Sequence, residues 1–185
     1  MSIVLTLKTD KVITTKDINL RDIFLWLANS KIVEIPEAIK YLSELSRLYL
    51  YNNYISTIFA DIDKLANLTL LNLRNNNISV IPEELFNLTK LRALSLAYNH
   101  ISVIPRNIKK LQNLEYLYMD NNKITNIPAE IILLKKLIRT KFHNNPITNK
   151  NSDIQVIDNY IKNGDSDSDE YVLEEDDDYL IYTSK

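Results

Sequence analysis

The chain has 185 residues, with 22 Lys and Arg against 24 Asp and Glu, so its net charge of −2 and its length fit one domain with terminal extensions. It contains no Cys and a single Gly, which excludes disulfides, thiol catalysis, cysteine–zinc sites and glycine-rich phosphate loops. Only two His are present. The composition therefore predicts no metal site, no cofactor and no enzyme activity.

Residues 1–21 come first and lack the pattern that follows them. Residues 3–7 and 11–15 favour two short strands, and we predict that this segment caps the domain. It has no basic stretch followed by a long apolar core, so a secretory signal is not expected. No run approaches the roughly 18 apolar residues that predict a transmembrane helix, so no membrane contact is predicted.

A period of 23 residues runs through residues 22–152, in six units that start at residues 22, 45, 68, 91, 114 and 137. The alternation of Leu71 and Leu73 predicts a short strand with both leucines facing inward. Apolar residues then follow at three- and four-residue steps, which predicts a short helical or 3₁₀ return leg beginning at Pro82. A fixed period of this length indicates a solenoid, in which each unit packs only against its neighbours.

One Asn recurs just after the predicted strand of each unit except the first. Its amide has two donors and one acceptor, so it can bond the backbone of its own turn and of the neighbouring turn. Stacked units would then form a structural ladder of amides that satisfies otherwise buried backbone groups. The ladder residues are Asn53, Asn76, Asn99, Asn122 and Asn145.

The unit L-x-x-L-x-L-x-x-N-x-I-x-x-I-P resembles the leucine-rich repeat family, specifically its 23-residue, Ras-group-like class. The resemblance implies an α/β solenoid: a curved horseshoe segment with a parallel concave β-sheet and short helical, 3₁₀ or irregular convex legs. The departures are Ser30 for the ladder Asn, Phe59 for Pro, and Thr140 for an inner Leu. They fall mainly in the outer units, where repeats are usually irregular.

The resemblance also bears on location, because extracellular members of the family usually have Cys-bonded caps and this class is common in intracellular scaffolds. A chain without Cys is therefore predicted to be intracellular and cytoplasmic. The abundance of Asn, Ile, Lys and Tyr is typical of an AT-rich genome, such as that of a protist or a large DNA virus.

Two further segments follow the units. The sequence predicts a C-terminal capping helix at residues 153–164. Ile154, Ile157 and Ile161 share one face of it, and Gly164 marks its end. Residues 165–185 hold nine Asp and Glu against one Lys, which predicts a disordered acidic tail with a charge near −8. Ser166 and Ser168 precede acids there and are candidate phosphorylation sites.

The predicted partner-binding surface is the concave face, formed by the residues that flank the inward leucines and point away from the core. It contains the only Trp with four Tyr and three Arg, the residue types enriched at binding hot spots. A small-residue dip is expected at Ala93, Ser95 and Ala97. The candidate binding residues are Phe24, Trp26, Arg47, Tyr49, Tyr51, Asn72, Arg74, Ser95, Tyr116, Tyr118, Asp120, Arg139, Lys141 and His143.

The predicted function is non-catalytic protein–protein interaction through this face. Its four Arg and Lys outnumber Asp120, so the partner is expected to present an acidic or hydrogen-bond-accepting patch. Two alternatives remain: an adaptor autoregulated by its acidic tail, and single-stranded nucleic-acid binding through stacking aromatics and Arg. A sequence pI near 5.7 disfavours nucleic acid. A monomer is predicted.

Overall fold

The computed structural model describes residues 5–6, 12–13, 18–19 and 24–148. Strands β1 (Leu5–Thr6) and β2 (Val12–Ile13) pair antiparallel and lie inside the two segments predicted to be strands. A third strand that the sequence did not predict, β3 (Ile18–Asn19), pairs antiparallel with the first strand of the units. The outer edge of the first repeat strand is therefore covered by the two-residue β3, and short edge strands limit pairing with other chains.

The six units contribute one short strand each to a parallel sheet, in the order of the sequence. Neighbouring strands pair with a constant offset of 23 residues: Leu25 lies beside Leu48, and Leu48 beside Leu71. The parallel solenoid sheet predicted from the period is thus confirmed. The strands are β4 (Phe24–Trp26), β5 (Arg47–Tyr49), β6 (Leu70–Asn72), β7 (Ala93–Ser95), β8 (Tyr116–Tyr118) and β9 (Arg139–Lys141).

Each of the five return legs that the structure describes contains a 3₁₀ helix of five residues. Pro82 precedes its helix with φ −70°, an angle that the proline ring already favours. Phe59 takes the same place in the second unit with φ −66°, so the start of that leg keeps its conformation without proline, although Asp61 inside η2 has a non-helical ψ of 15°. The legs are η1 (Glu37–Tyr41), η2 (Ala60–Lys64), η3 (Glu83–Asn87), η4 (Arg106–Lys110) and η5 (Ala129–Leu133).

The core lies between the sheet and these legs, and consists mainly of Leu and Ile. The centre of each strand points into it: Leu48 and Leu117 are fully buried. Thr140 takes that position in the last unit and is also buried, but its hydroxyl oxygen has no hydrogen-bond partner among the described residues. An unpaired buried hydroxyl is unfavourable, so Thr140 stabilises the core less than the leucine at this position in the other units.

The asparagine ladder connects each unit to the one before it. The Oδ1 atom of Asn99 accepts a hydrogen bond from the Ile78 N–H at 2.9 Å. Its Nδ2 atom donates to the carbonyls of Leu73 at 3.0 Å and Leu96 at 3.1 Å, in the preceding and the same unit. The same three contacts recur at Asn76 and Asn122. One side chain therefore satisfies three backbone groups that have no access to water.

A second, exposed ladder lies one residue earlier in the units, interrupted at Tyr98 in the fourth, and the sequence analysis did not identify it. Asn52 donates to Asn29 at 2.9 Å, and Asn75 donates to Asn52 at 2.8 Å. All three have a positive φ between 53° and 55°. Asn tolerates this left-handed conformation better than most residues, which gives a physical reason for Asn at this second position.

The sequence predictions for residues 149–185 lie outside the described residues. They comprise the end of the sixth unit, the capping helix at residues 153–164 and the acidic tail at residues 165–185. The capping role predicted for residues 1–21 also stays a prediction, since only three short strands of that segment are described.

Candidate binding surface

The concave face is the side of the sheet that points away from the legs. On each three-residue strand the central residue enters the core, and the two flanking residues lie on the concave face. Ten of the predicted binding residues are such flanking residues. The other four come two positions after a strand and continue its alternation; they are Tyr51, Arg74, Asp120 and His143.

An aromatic cluster occupies the N-terminal end of the concave face. The rings of Trp26 and Tyr49 are 4.6 Å apart between centroids and tilted by 31°. Tyr51 meets Trp26 edge to face at 5.6 Å. All three side chains are half-buried. Such mutual contacts fix the rings before any ligand arrives, so binding loses less side-chain entropy than it would on a mobile surface.

The Tyr49 hydroxyl stays protonated at neutral pH. Burial raises the pKa of Tyr49 above its usual value of 10, and the nearby Arg47 guanidinium acts in the opposite direction. The phenol can thus donate one hydrogen bond as well as accept one. An anionic or carbonyl-rich segment on this cluster would meet both the Arg47 charge and a neutral phenol donor.

The centre of the concave face holds an apolar cluster. Leu70, Ala93 and Tyr116 are buried and form one apolar cluster, against which Tyr49 and Tyr118 pack. The small residues expected to form a dip have little exposed area: Ala93 is 9%, Ser95 4% and Ala97 0% exposed. Four predicted binding residues also have almost no exposed area, so they line the floor of the face; they are Asn72, Ser95, Tyr116 and Asp120.

A charged cluster forms the C-terminal half of the face around the buried carboxylate of Asp120. Its Oδ2 atom accepts a hydrogen bond from the Asn121 amide at 2.8 Å. The same oxygen lies 3.7 Å from His143 Nε2 and 4.0 Å from Arg74 Nη1. The fully buried Ala97 occupies this position in the unit between Arg74 and Asp120, and its small side chain leaves room for their approach.

Tyr98 belongs to this surface, although the sequence analysis did not select it. The Arg74 guanidinium carbon lies 4.1 Å from the centre of the Tyr98 ring, in cation–π geometry. Tyr98 has φ 55°, an uncommon conformation for a bulky residue, at a position where the neighbouring units carry Asn75 and Asn121. In the sequence, Tyr98 could have been found because it interrupts the Asn that recurs one position before the ladder residue.

Replacing Tyr98 by Asn should leave the free energy of unfolding unchanged or raise it by up to about 1 kcal/mol. The Asn would relieve the left-handed strain and could join the exposed ladder. It would also release Arg74 from the ring, so partner binding should weaken. A urea melt measures the first effect. A destabilisation of more than about 1 kcal/mol would show instead that Tyr98 contributes to folding.

Two other site classes find no support in the described part of the chain. No group of three or more His, Asp or Glu within it could hold a metal ion. In the same ranges, no helix is long and apolar enough to cross a bilayer. His100, which follows the ladder residue Asn99, is exposed and forms no such group.

The arrangement of parallel strands, 3₁₀ legs and ladder asparagines in 23-residue steps agrees with a comparison against protein families. The leucine rich repeat family model matches residues 19–78 and 66–124, which together are more than half of the chain. The chain belongs to the leucine-rich repeat family. No curated protein sequence matches this leucine-rich repeat chain.

Solved leucine-rich repeat structures share its fold. A leucine-rich repeat protein of Leptospira interrogans matches with a TM-score of 0.59 and 29% identity, over 71% of this chain and 39% of that one. The ectodomain of the Arabidopsis thaliana receptor kinase SOBIR1 matches with a TM-score of 0.60 and 28% identity, over 80% of this chain and 79% of that one.

A third structure contains a ligand. The ectodomain of the Arabidopsis thaliana receptor kinase GASSHO1/SCHENGEN3, in complex with CASPARIAN STRIP INTEGRITY FACTOR 2, matches with a TM-score of 0.58 and 31% identity. The match covers 66% of this chain and 15% of that protein. The chain therefore spans well under half of the Leptospira protein and of GASSHO1.

Proposed function

We propose that the chain is a non-catalytic protein-interaction module, and that its partner binds the concave face. The observation that carries this proposal is the ordered aromatic cluster of Trp26, Tyr49 and Tyr51, which lies outside the main core. Partly exposed Trp and Tyr that are held in place give large contact area at low entropic cost. The GASSHO1 complex supports it by analogy, since that repeat domain has a bound protein ligand.

The partner is expected to carry an acidic or hydrogen-bond-accepting patch. The cations of the concave face lie at its surface, whereas its one acid, Asp120, is 3% exposed. A partner would thus meet mainly positive charge from Arg47, Arg74, Arg139 and Lys141. The aromatic anchors lie at the N-terminal end with Arg47, and three of the four cations lie toward the C-terminal end, which suits an extended segment with apolar residues followed by acids.

Other parts of the proposal rest on the sequence. The exact 23-residue offset between strands supports the 23-residue class of the family. The absence of Cys supports an intracellular, cytoplasmic setting, and the codon-related composition supports an AT-rich genome of origin. The protein is proposed to act as a monomer.

Trp26→Ala and Tyr49→Ala should each weaken partner binding by about 1–2 kcal/mol, or roughly 5- to 30-fold, because each removes a held aromatic anchor. The fold should be kept, since neither residue belongs to the main core. The full chain and the Trp26→Ala/Tyr49→Ala double variant are immobilised, and the captured proteins are compared by quantitative mass spectrometry. Ligands of the concave face are those depleted from the double variant.

The matched control is Tyr41→Ala, which removes an aromatic side chain that is 72% exposed on the opposite side of the molecule. Proteins retained by Tyr41→Ala and lost from the double variant bind the proposed face. If the double variant captures the same proteins as the unaltered chain, while Tyr41→Ala loses them, the binding surface lies on the legs and the proposal is wrong.

Single-stranded nucleic acid is the weaker alternative, favoured only by the combination of aromatic rings and Arg on one face. A titration of the full chain with single-stranded RNA at low salt decides it, because phosphate contacts are strongest there. We expect no binding. Binding that falls steeply with salt and is lost in Trp26→Ala would replace the protein partner by a nucleic acid.

The second alternative is an adaptor that its own acidic tail regulates. The charge division within the chain favours it: the tail carries about −8, so a chain total of −2 leaves about +6 on residues 1–164. Two parts of one chain remain near each other at high effective concentration, so even a weak attraction between them can be populated.

A further inference from the structure

A second basic surface lies on the legs of the fourth and fifth units, away from the concave face. The leg η4 ends in two exposed lysines, and the adjacent leg η5 ends in exposed Ile132 and Leu133, followed by two more lysines. Ile132 and Leu133 occur one repeat after Lys109 and Lys110, so they lie beside them on the packed legs. We call Lys109, Lys110, Ile132, Leu133, Lys135 and Lys136 the outer basic patch.

The positive charge of the outer basic patch is not neutralised by the described residues. Lys110 and Lys136 donate only to the neutral amides of Asn87 at 3.2 Å and Asn113 at 2.6 Å. Within residues 24–148, none of the four ammonium groups forms a salt bridge; the nearby Glu130 carboxylate faces Arg106 at 3.8 Å. Four uncompensated cations thus surround two aliphatic side chains that are 39% and 44% exposed.

The acidic tail has the complementary composition. Five consecutive acids at residues 174–178 lie between two apolar clusters, Tyr-Val-Leu at 171–173 and Tyr-Leu-Ile-Tyr at 179–182. The acids match the four lysines, and an apolar cluster matches Ile132 and Leu133. Exposed aliphatic residues within a field of one charge are a typical interaction surface.

The linker between the sixth unit and the tail is long enough for the tail to reach the outer basic patch. The described chain ends at Thr148 in the sixth unit, one or two units from the outer basic patch. Sixteen residues lie between Thr148 and Asp165, and they can span up to about 56 Å when extended, or about 35 Å if residues 153–164 form the predicted capping helix. A tether of this kind holds the tail near the patch at up to about millimolar effective concentration.

The concave face is the less suitable site for the tail. Its Arg74 is stacked on Tyr98 and lies near the Asp120 carboxylate, and its Arg47 is engaged by Tyr49. The Asp120 carboxylate partly compensates Arg74, whereas no described carboxylate lies within salt-bridge distance of the lysines of the outer basic patch. Residual attraction for an acidic segment is therefore greater on the legs.

We propose that residues 165–185 dock on the outer basic patch of their own chain. This inference goes beyond the proposed function: it shares with the tail-regulated alternative only the charge division of the chain, and it does not depend on the ligand of the concave face. A docked tail covers the exposed Ile132 and Leu133 and leaves the concave face open to its partner. Phosphate on Ser166 or Ser168 would add about −1.5 to −2 charges each and tighten the contact.

A spin label on the tail tests this proposal in the full chain. The sequence has no Cys, so Ser184→Cys gives one unique attachment site for a nitroxide. At low ionic strength the label should broaden the amide NMR signals of Ile132 and Leu133. Near 1 M salt, where the Debye length is about 3 Å, most of that broadening should disappear.

Paired charge reversals identify the surface. Lys109→Glu/Lys135→Glu changes two exposed lysines that have no described side-chain partner, and should abolish the broadening. Lys31→Glu/Lys123→Glu makes the same charge change at exposed positions outside the patch, and should retain it. Three results would overturn the proposal: no broadening at low salt, broadening centred on Trp26 and Tyr49, or broadening that survives in Lys109→Glu/Lys135→Glu.

An anionic lipid surface is the competing ligand of the outer basic patch, and one further experiment distinguishes it from the tail. The full chain is sedimented with phosphatidylserine vesicles at low salt, and we expect it to remain in solution because the tail covers the lysines. The opposite result is sedimentation of the unaltered chain, its loss in Lys109→Glu/Lys135→Glu, and no label broadening in vesicle-free samples. That result assigns the patch to anionic lipid and overturns tail docking. No partner protein is involved, so either result leaves the concave-face proposal untouched.

Discussion

Leu94→Ala is expected to lower the free energy of unfolding by about 2–5 kcal/mol, the range typical of a fully buried leucine. Leu94 is 1% exposed at the centre of β7, with Leu71 and Leu117 beside it on the neighbouring strands. The cavity would therefore be shared by three units. A urea denaturation curve followed by circular dichroism measures the change.

Leu133→Ala is the control for the same chemical change, since Leu133 is 44% exposed on η5. It should shift the free energy of unfolding by no more than about 0.5 kcal/mol. If the two variants unfold alike, the middle strands do not share a packed core, and the register of the units is wrong.

The architecture could be predicted because the units stabilise one another only through their neighbours. The inward Leu of one strand must meet the equivalent Leu of the next, so a fixed sequence period becomes a fixed strand offset. Leu48, Leu71 and Leu94 show this relation in both sequence and structure. The return leg was predicted as short helical or 3₁₀, and it is 3₁₀ in the five legs described.

The strand β3 could not be predicted from the period because it lies outside the repeat. Ile18–Asn19 has no equivalent in the other units, and its two residues are too few for a pattern of alternation. It pairs antiparallel because it precedes the first unit by a short connection, which cannot make the crossover that a parallel pair requires.

The sequence predicted which residues lie on the concave face, but not how much of each residue is exposed. Alternation along a strand shows which side a residue occupies. It does not show how far residues from three neighbouring units cover one another. Leu70 and Tyr116 lie one unit to either side of Ala93 and pack with it, and on the same face Ser95 and Asp120 are only 4% and 3% exposed.

Asn99→Ala is expected to destabilise the fold by about 1–3 kcal/mol, the penalty for leaving buried backbone groups without partners. The substitution removes the acceptor of the Ile78 N–H and the donor to the Leu73 and Leu96 carbonyls. Asn99 is 4% exposed, so water cannot replace these bonds without local opening. A urea melt gives the loss of stability, and faster hydrogen exchange at the Ile78 amide locates it.

Two comparisons separate the ladder bonds from a general preference for Asn in turns. Asn77→Ala removes an exposed amide whose described contact, to the Tyr54 carbonyl, is 3.5 Å long, so its effect should stay within about 0.5 kcal/mol. Asn99→Asp keeps the size and the acceptor for Ile78 but turns a carboxylate toward the Leu73 and Leu96 carbonyls. That variant should be at least as unstable as Asn99→Ala near neutral pH, because a buried charge then faces two acceptors. Full stability of Asn99→Asp would mean that the amide donors contribute nothing and that only the bond to Ile78 holds the turn.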